Sequence, residues 1–137
     1  MIAAIIPARY SSTRFPGKPL AQIEGKTMIR RVYEQAVQSQ LIGAVVVATD
    51  DPRIVDEVRS FGGEVRLTRT DHPSGTDRCF EAVQMLDKSC DYVINIQGDE
   101  PFLDPRQIDE LADYLNQHPV EIATQMIKVA SQAELFD

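Results

Sequence analysis

Apolar and polar positions follow two different periods along this chain, and the switches between them mark out its elements. Ile2 to Ile6 is an unbroken apolar run bounded by Pro7, the pattern of a strand buried on both faces. From Thr27 the spacing becomes helical: Ile29, Val32, Tyr33, Ala36 and Val37 stand at i, i+3, i+4, i+7 and i+8, with Thr27 placed to cap the helix. Ala44 to Ala48 predicts a second buried strand, ending at Thr49-Asp50-Asp51. Asp51-Pro52 offers an N-cap followed by a first-turn proline. Ile54, Val55, Val58 and Phe61 then form one apolar face, and Gly62-Gly63 stops the helix. Glu64 to Thr68 predicts a third, more alternating strand. Thr70 to Asp77 reads as a polar loop, with Thr76 or Asp77 as the cap of a helix carrying Cys79, Ala82, Val83 and Leu86. Tyr92 to Ile96 is the fourth predicted strand. Asp104-Pro105 repeats the cap-and-proline device ahead of Ile108, Leu111, Ala112 and Leu115. A fifth strand is expected within Val120 to Val129, and the start of another helix over Ser131 to Asp137.

The predicted order is βαβαβαβαβ with short connections. It implies an α/β domain with a mostly parallel open sheet and helices on both faces. Residues 1–137 read as one domain, with no internal repeat or linker. In such sheets ligands bind beyond the carboxyl ends of the strands, at the point where the strand order reverses. Three polar loops leave strand ends here: one after the first strand, one over Asp71 to Asp77, and one at Asp99.

Charge sharpens the picture. The chain carries a formal net charge of -7, which argues against a general binder of nucleic acid or anionic membrane. No apolar run reaches the roughly 20 residues of a spanning helix. The first residues lack the pattern of a signal peptide. Cys79 and Cys90 sit in no metal or redox spacing, so the expectation is a cytoplasmic protein with reduced thiols and a buried, structural Cys79.

Against that acidic background the first loop is basic. Arg9, Arg14 and Lys18 lie among small residues and prolines in Pro7-Ala8-Arg9-Tyr10-Ser11-Ser12-Thr13-Arg14-Phe15-Pro16-Gly17-Lys18-Pro19-Leu20. Such a cluster suits a multiply charged anion, phosphate above all. The competing reading is an exposed turn whose cations point apart into water. Gly17 permits a tight turn. The loop is neither a dinucleotide fingerprint nor a Walker P-loop. In Gln97-Gly98-Asp99-Glu100-Pro101, Asp99 is a candidate ligand for a hard cation such as Mg²⁺, and Gly98 would let a ligand approach the backbone. The alternative is a turn in which Asp99 bonds nearby amides, with Glu100 a solvated neighbour. His72-Pro73-Ser74-Gly75-Thr76-Asp77-Arg78 could read a base edge or a phosphate, or be an ordinary polar turn. His72 reads as loop structure, and His118 as a residue of the last helical turn.

These three motifs, in this order and wording, resemble the 3-deoxy-manno-octulosonate cytidylyltransferases, the CMP-Kdo synthetases. The resemblance runs through essentially the whole chain. It implies a Rossmann-like nucleotidyltransferase fold and a Mg²⁺-dependent reaction of CTP with Kdo, giving CMP-Kdo and pyrophosphate for lipopolysaccharide assembly. Arg9, Arg14 and Lys18 match the family's triphosphate loop, where they would stabilise the charge of the leaving group. Asp99 matches its Mg²⁺-binding carboxylate. Pro7, Ala8, Ser74 and Gly75 would lie near the cytosine, and Gln97 near the sugar acid. The resemblance further implies a homodimer and no nucleic-acid or membrane partner. Family chains run to nearly twice this length. The remainder carries the rest of the Kdo pocket, a second metal-binding aspartate and most dimer contacts. The stretch in hand is thus expected to be the truncated N-terminal part of the domain, poor or inactive as a catalyst alone, with an unpaired sheet edge. Two alternatives stay open: a nucleotide-binding module without catalysis, and a cytidylyltransferase for another acidic sugar such as a sialic acid.

Overall fold

A computed structural model of the chain describes residues 1–11, 16–72, 75–86, 90–98, 101–118 and 125–129, the last segment by its backbone alone. Five strands form one sheet: β1 (Ile2–Ala8), β4 (Ala44–Thr49), β5 (Val65–Leu67), β6 (Tyr92–Ile96) and β7 (Gln125–Val129). Their order is β5-β4-β1-β6-β7, and every neighbouring pair is parallel. The path therefore runs outward from β1 in one direction, then restarts at β6 and runs the other way. The reversal falls between β1 and β6.

The apolar runs make this sheet because both of its faces are covered. Ile2, Ala4, Ile6 and Ala8 point to one face, with Val45, Val47, Ile94 and Ile96. Three helices cover it: α1 (Met28–Ala36), α2 (Pro52–Ser60) and α4 (Pro105–Gln117). Ala3, Ile5, Val46, Ala48 and Val93 point to the other face, under α3 (Gly75–Gln84) through Cys79 and Ala82. The expected α/β class, parallel sheet and two-sided helical cover are all present.

The predicted caps are formed. Thr27 accepts from the Arg30 amide and also donates to Glu57, tying α1 to α2. Asp51 and Asp104 accept from the amides of Arg53 and Arg106. Asp109 of α4 accepts from the Ser39 hydroxyl and from the amides of Gln40 and Leu41, which fixes α4 against the turn after α1. Burial pushes the Asp109 carboxyl up, and these three donors outweigh it, so it titrates below its ordinary 3.8.

Three expectations need correction, and one element was not expected. The first strand does not stop before Pro7 but continues to Ala8, paired with β4 through Pro7–Ala48 and Ala8–Thr49. Proline is tolerated because the β6 ladder has already ended at Ile5–Asn95, so β1 is open on that side. Helix α3 begins at Gly75, so Thr76 and Asp77 lie in its first turn rather than at its cap. A two-residue hairpin was not foreseen: β2 (Gln22–Ile23) pairs with β3 (Lys26–Thr27) across Glu24 and Gly25, both at positive φ. His118 is the residue that closes α4 rather than a member of its last turn, and its ring stacks on Tyr114 at 4.3 Å. The expected helix over 131–137 lies outside the described residues.

Candidate active site

The end of the β6 ladder decides where a ligand fits. The ladder between β1 and β6 ends at Ile5–Asn95, and a cavity of about 270 Å³ is lined by the residues that follow in both segments. Pro7, Ala8 and Arg9 line it from β1, and Gln97 and Gly98 from β6. Lys18 and Pro19 enter from a single 3₁₀ turn (Lys18–Leu20), and Gly75 from the first position of α3. All three sequence-predicted loops thus reach one crevice at the reversal of the strand order. The positive end of the α3 dipole lies on its wall.

Local packing explains why small residues stand here. A side chain at Gly98 would place its Cβ 3.1 Å from the Pro7 carbonyl oxygen, and one at Gly75 would meet the Pro7 ring at 3.3 Å. Gly17 adopts φ 74°, a left-handed conformation that suits glycine. Its amide donates to the Tyr10 carbonyl at 2.7 Å, which closes the loop between Arg9 and Lys18.

Of the predicted site residues, Pro7, Ala8, Arg9, Lys18, Gly75 and Gln97 come together around the cavity. Arg14, Ser74 and Asp99 lie outside the described residues. Pro19 lines the cavity as well and was missed; only its place in a Pro-Gly-Lys-Pro turn hinted at it. Among the described residues no three His, Cys, Asp or Glu side chains converge to hold a metal.

The third motif divides. Arg78, a possible reader of base or phosphate, is instead buried at 2 % exposure. It donates to the Thr68 hydroxyl, to the Arg69 carbonyl and to Asp50. His72 is structural, 2.7 Å from Glu81, whose carboxylate also accepts from the Arg69 amide. Burial raises the Glu81 pKa, but these partners hold it below the ordinary value. A larger hollow of about 630 Å³ lies between α3 and the loop that follows β5, and it shares no lining residue with the β1/β6 cavity. Its polar rim is paired within itself, His72 with Glu81 and Arg69 with Asp71. Cys79 is fully buried, which pushes its thiol up to about 12, so it is no nucleophile.

An open parallel sheet with cations and a helix start gathered at its switch point defines an α/β domain of the kind whose strand-end crevice suits a phosphate-bearing ligand. The family model of the cytidylyltransferases matches residues 3–137, and the chain belongs to that family. A 3-deoxy-manno-octulosonate cytidylyltransferase of Cytophaga hutchinsonii is 58% identical over 136 residues, which are 99% of this chain and 54% of the relative. An 8-amino-3,8-dideoxy-manno-octulosonate cytidylyltransferase of Shewanella amazonensis is 48% identical over 99% of this chain and 57% of its own length. Among solved structures, a CMP:2-keto-3-deoxy-manno-octonic acid synthetase complexed with CTP superposes with a TM-score of 0.83. It is 47% identical, and the match covers 87% of this chain and 48% of that one. The chain spans about half the length of the curated relatives it matches. No helix among the described residues is long and apolar enough to cross a membrane.

Proposed function

We propose that this chain holds CTP in the β1/β6 crevice as the nucleotide-binding part of an enzyme that transfers CMP to Kdo. The supporting observation is the cavity itself, which gathers Arg9, Lys18, Gly75, Gln97 and Gly98 from three loops. In the reaction a Kdo hydroxyl attacks the α-phosphorus of CTP. The bond to the β-phosphate oxygen breaks, pyrophosphate leaves, and the hydroxyl proton passes to solvent or base.

Arg9, Arg14 and Lys18 hold the triphosphate and stabilise the charge that builds on the departing pyrophosphate. Pro7, Ala8, Ser74 and Gly75 border the cytosine, and Gln97 faces the sugar acid. Mg²⁺ would be held by Asp99, the residue after cavity-lining Gly98, together with phosphate oxygens of the nucleotide. One carboxylate plus substrate oxygens suits that hard cation, and when bound it supplies charge neutralisation on the phosphates. The product serves lipopolysaccharide assembly, the place of work is the cytoplasm, and the assembly is a homodimer. The second acceptor to weigh is 8-amino-3,8-dideoxy-manno-octulosonate, since relatives at 48% identity carry that name.

Calorimetric titration of CTP with Mg²⁺ is the test. Saturable binding that weakens in Lys18→Ala and Asp99→Ala supports the site. No binding by the folded chain overturns it for this chain. Release of pyrophosphate with Kdo, with its 8-amino analogue or with a sialic acid then separates the acceptors. Binding without any turnover would favour a nucleotide-binding module.

A further inference from the structure

We infer that Arg53, at the start of α2, is a positioning residue for the cationic loop, acting through Tyr10. The inference rests on the nucleotide site proposed above. The Arg53 guanidinium lies over the Tyr10 ring, 3.3 Å from its centroid. It is itself aimed by Asp51, which accepts from Nε at 3.0 Å and from Nη2 at 2.7 Å. The same Asp51 caps α2 through the Arg53 amide. The guanidinium is therefore anchored to a helix end, and its charge is matched by a carboxylate rather than offered to a ligand.

Tyr10 carries that anchor into the loop. Its ring packs against the core on the three-helix face. A Cβ at Gly17 would stand 3.0 Å from the ring, so Gly17 lies directly against it. The Gly17 amide donates to the Tyr10 carbonyl at 2.7 Å. Arg9 precedes Tyr10 and Lys18 follows Gly17, and both line the cavity. The stack Asp51–Arg53–Tyr10–Gly17 thus sets the separation of two cations that have to meet one polyphosphate. A preset separation spares the ordering cost on binding. Arg53 suits the role because its planar fork takes the carboxylate with two donors while its face covers the ring.

The experiment compares CTP and CMP binding by the unaltered chain, Arg53→Ala, Arg53→Lys, Tyr10→Leu and the double variant Arg53→Ala/Tyr10→Leu, with amide exchange at Gly17 in each. In Arg53→Ala, CTP should bind about two- to fivefold more weakly, the scale of one exposed cation–ring contact. CMP affinity should not move, because the loop meets the outer phosphates. Gly17 should exchange faster, and Arg53→Lys should recover part of both effects. Removing Arg53 should add nothing once Tyr10 is gone. Unchanged CTP affinity in Arg53→Ala overturns the inference, and so does equal weakening for CTP and CMP, the mark of general destabilisation. If the unaltered chain binds no CTP, the nucleotide reading fails first. Gly17 exchange then decides the clasp alone, and a rate unaffected by Arg53→Ala overturns it.

Discussion

Replacing Arg78 by methionine separates a structural arginine from a ligand-binding one. The substitution keeps most of the stem and deletes three hydrogen bonds. The Arg69 carbonyl and the Thr68 hydroxyl, the latter on a residue 6% exposed, lose their partner. The buried Thr68 hydroxyl left unsatisfied costs on the order of 1–3 kcal/mol, and the Arg69 carbonyl, on an exposed residue that water reaches, adds less. The Asp50 side chain is 21% exposed, so water can replace part of its ion pair, and that loss is discounted. The sum is about 3 kcal/mol, at the low end for breaking a buried pair. A chain of 137 residues unfolds with an entropy near 0.3 kcal/mol/K, on the order of 2.1 cal/mol/K per residue. The melting temperature should therefore fall by about 10 °C. Arg78→Lys should not restore it, because one ammonium cannot reach three acceptors arranged for a fork. The assay is thermal and urea unfolding followed by circular dichroism, with CTP titration on the same samples. A variant that melts like the unaltered chain but loses CTP would refute the reasoning, because the guanidinium would then face the ligand.

Gly17→Ala forces a left-handed conformation and a contact with Tyr10, and should cost about 1–2 kcal/mol in urea unfolding; an unchanged midpoint would mean the turn is not held at φ 74°. Asp109 titrates below 3.8 when folded, so its stabilisation is complete above that pH and is lost as pH falls through the lower folded value. Asp109→Asn should accordingly be less stable at pH 6 and converge on the unaltered chain in acid, and parallel stability–pH curves would contradict this. Cys79, fully buried with its thiol near 12, should resist a thiol reagent at pH 8 until urea is added; rapid labelling of the folded chain would show that the α3 face opens.

The strands and helices were legible because their signals are local. A strand buried on both faces has to be mostly apolar, as Ile2 to Ile6 is throughout and Tyr92 to Ile96 is apart from Asn95, and a capped helix start needs only Thr27 or an Asp-Pro pair. What escaped depends on distant partners. Pro7 stays in its strand because its ladder with β6 has already ended, a fact held in the register of another strand. Gly75 begins α3 against the Pro7 ring, a contact between residues far apart in the chain. Arg78 looked like a ligand-facing cation because sequence does not reveal that Thr68, Arg69 and Asp50 surround it. The clasp of Arg53 on Tyr10 was invisible for the same reason.

The lining of the crevice argues for the way it reads its ligand. Pro7, Ala8, Pro19, Gly75 and Gly98 bring no polar side-chain atoms to it. Ala8 is 3% exposed, and its methyl group belongs to the core beneath the three helices, so its main chain is what the cavity meets. Hydrogen bonds along this wall have to come from backbone amides and carbonyls, whose positions are fixed by the sheet and by the start of α3. The long polar side chains on the lining are Arg9 and Lys18 at one end and Gln97 near the other strand. Such a division suits a ligand with a flat heterocycle, met by rigid main chain, and a charged tail, met by the cations that follow β1. A net charge of -7 does not oppose the proposed polyanion: the favourable charge is needed only at the tail, within a few ångströms, where screening by salt is least effective.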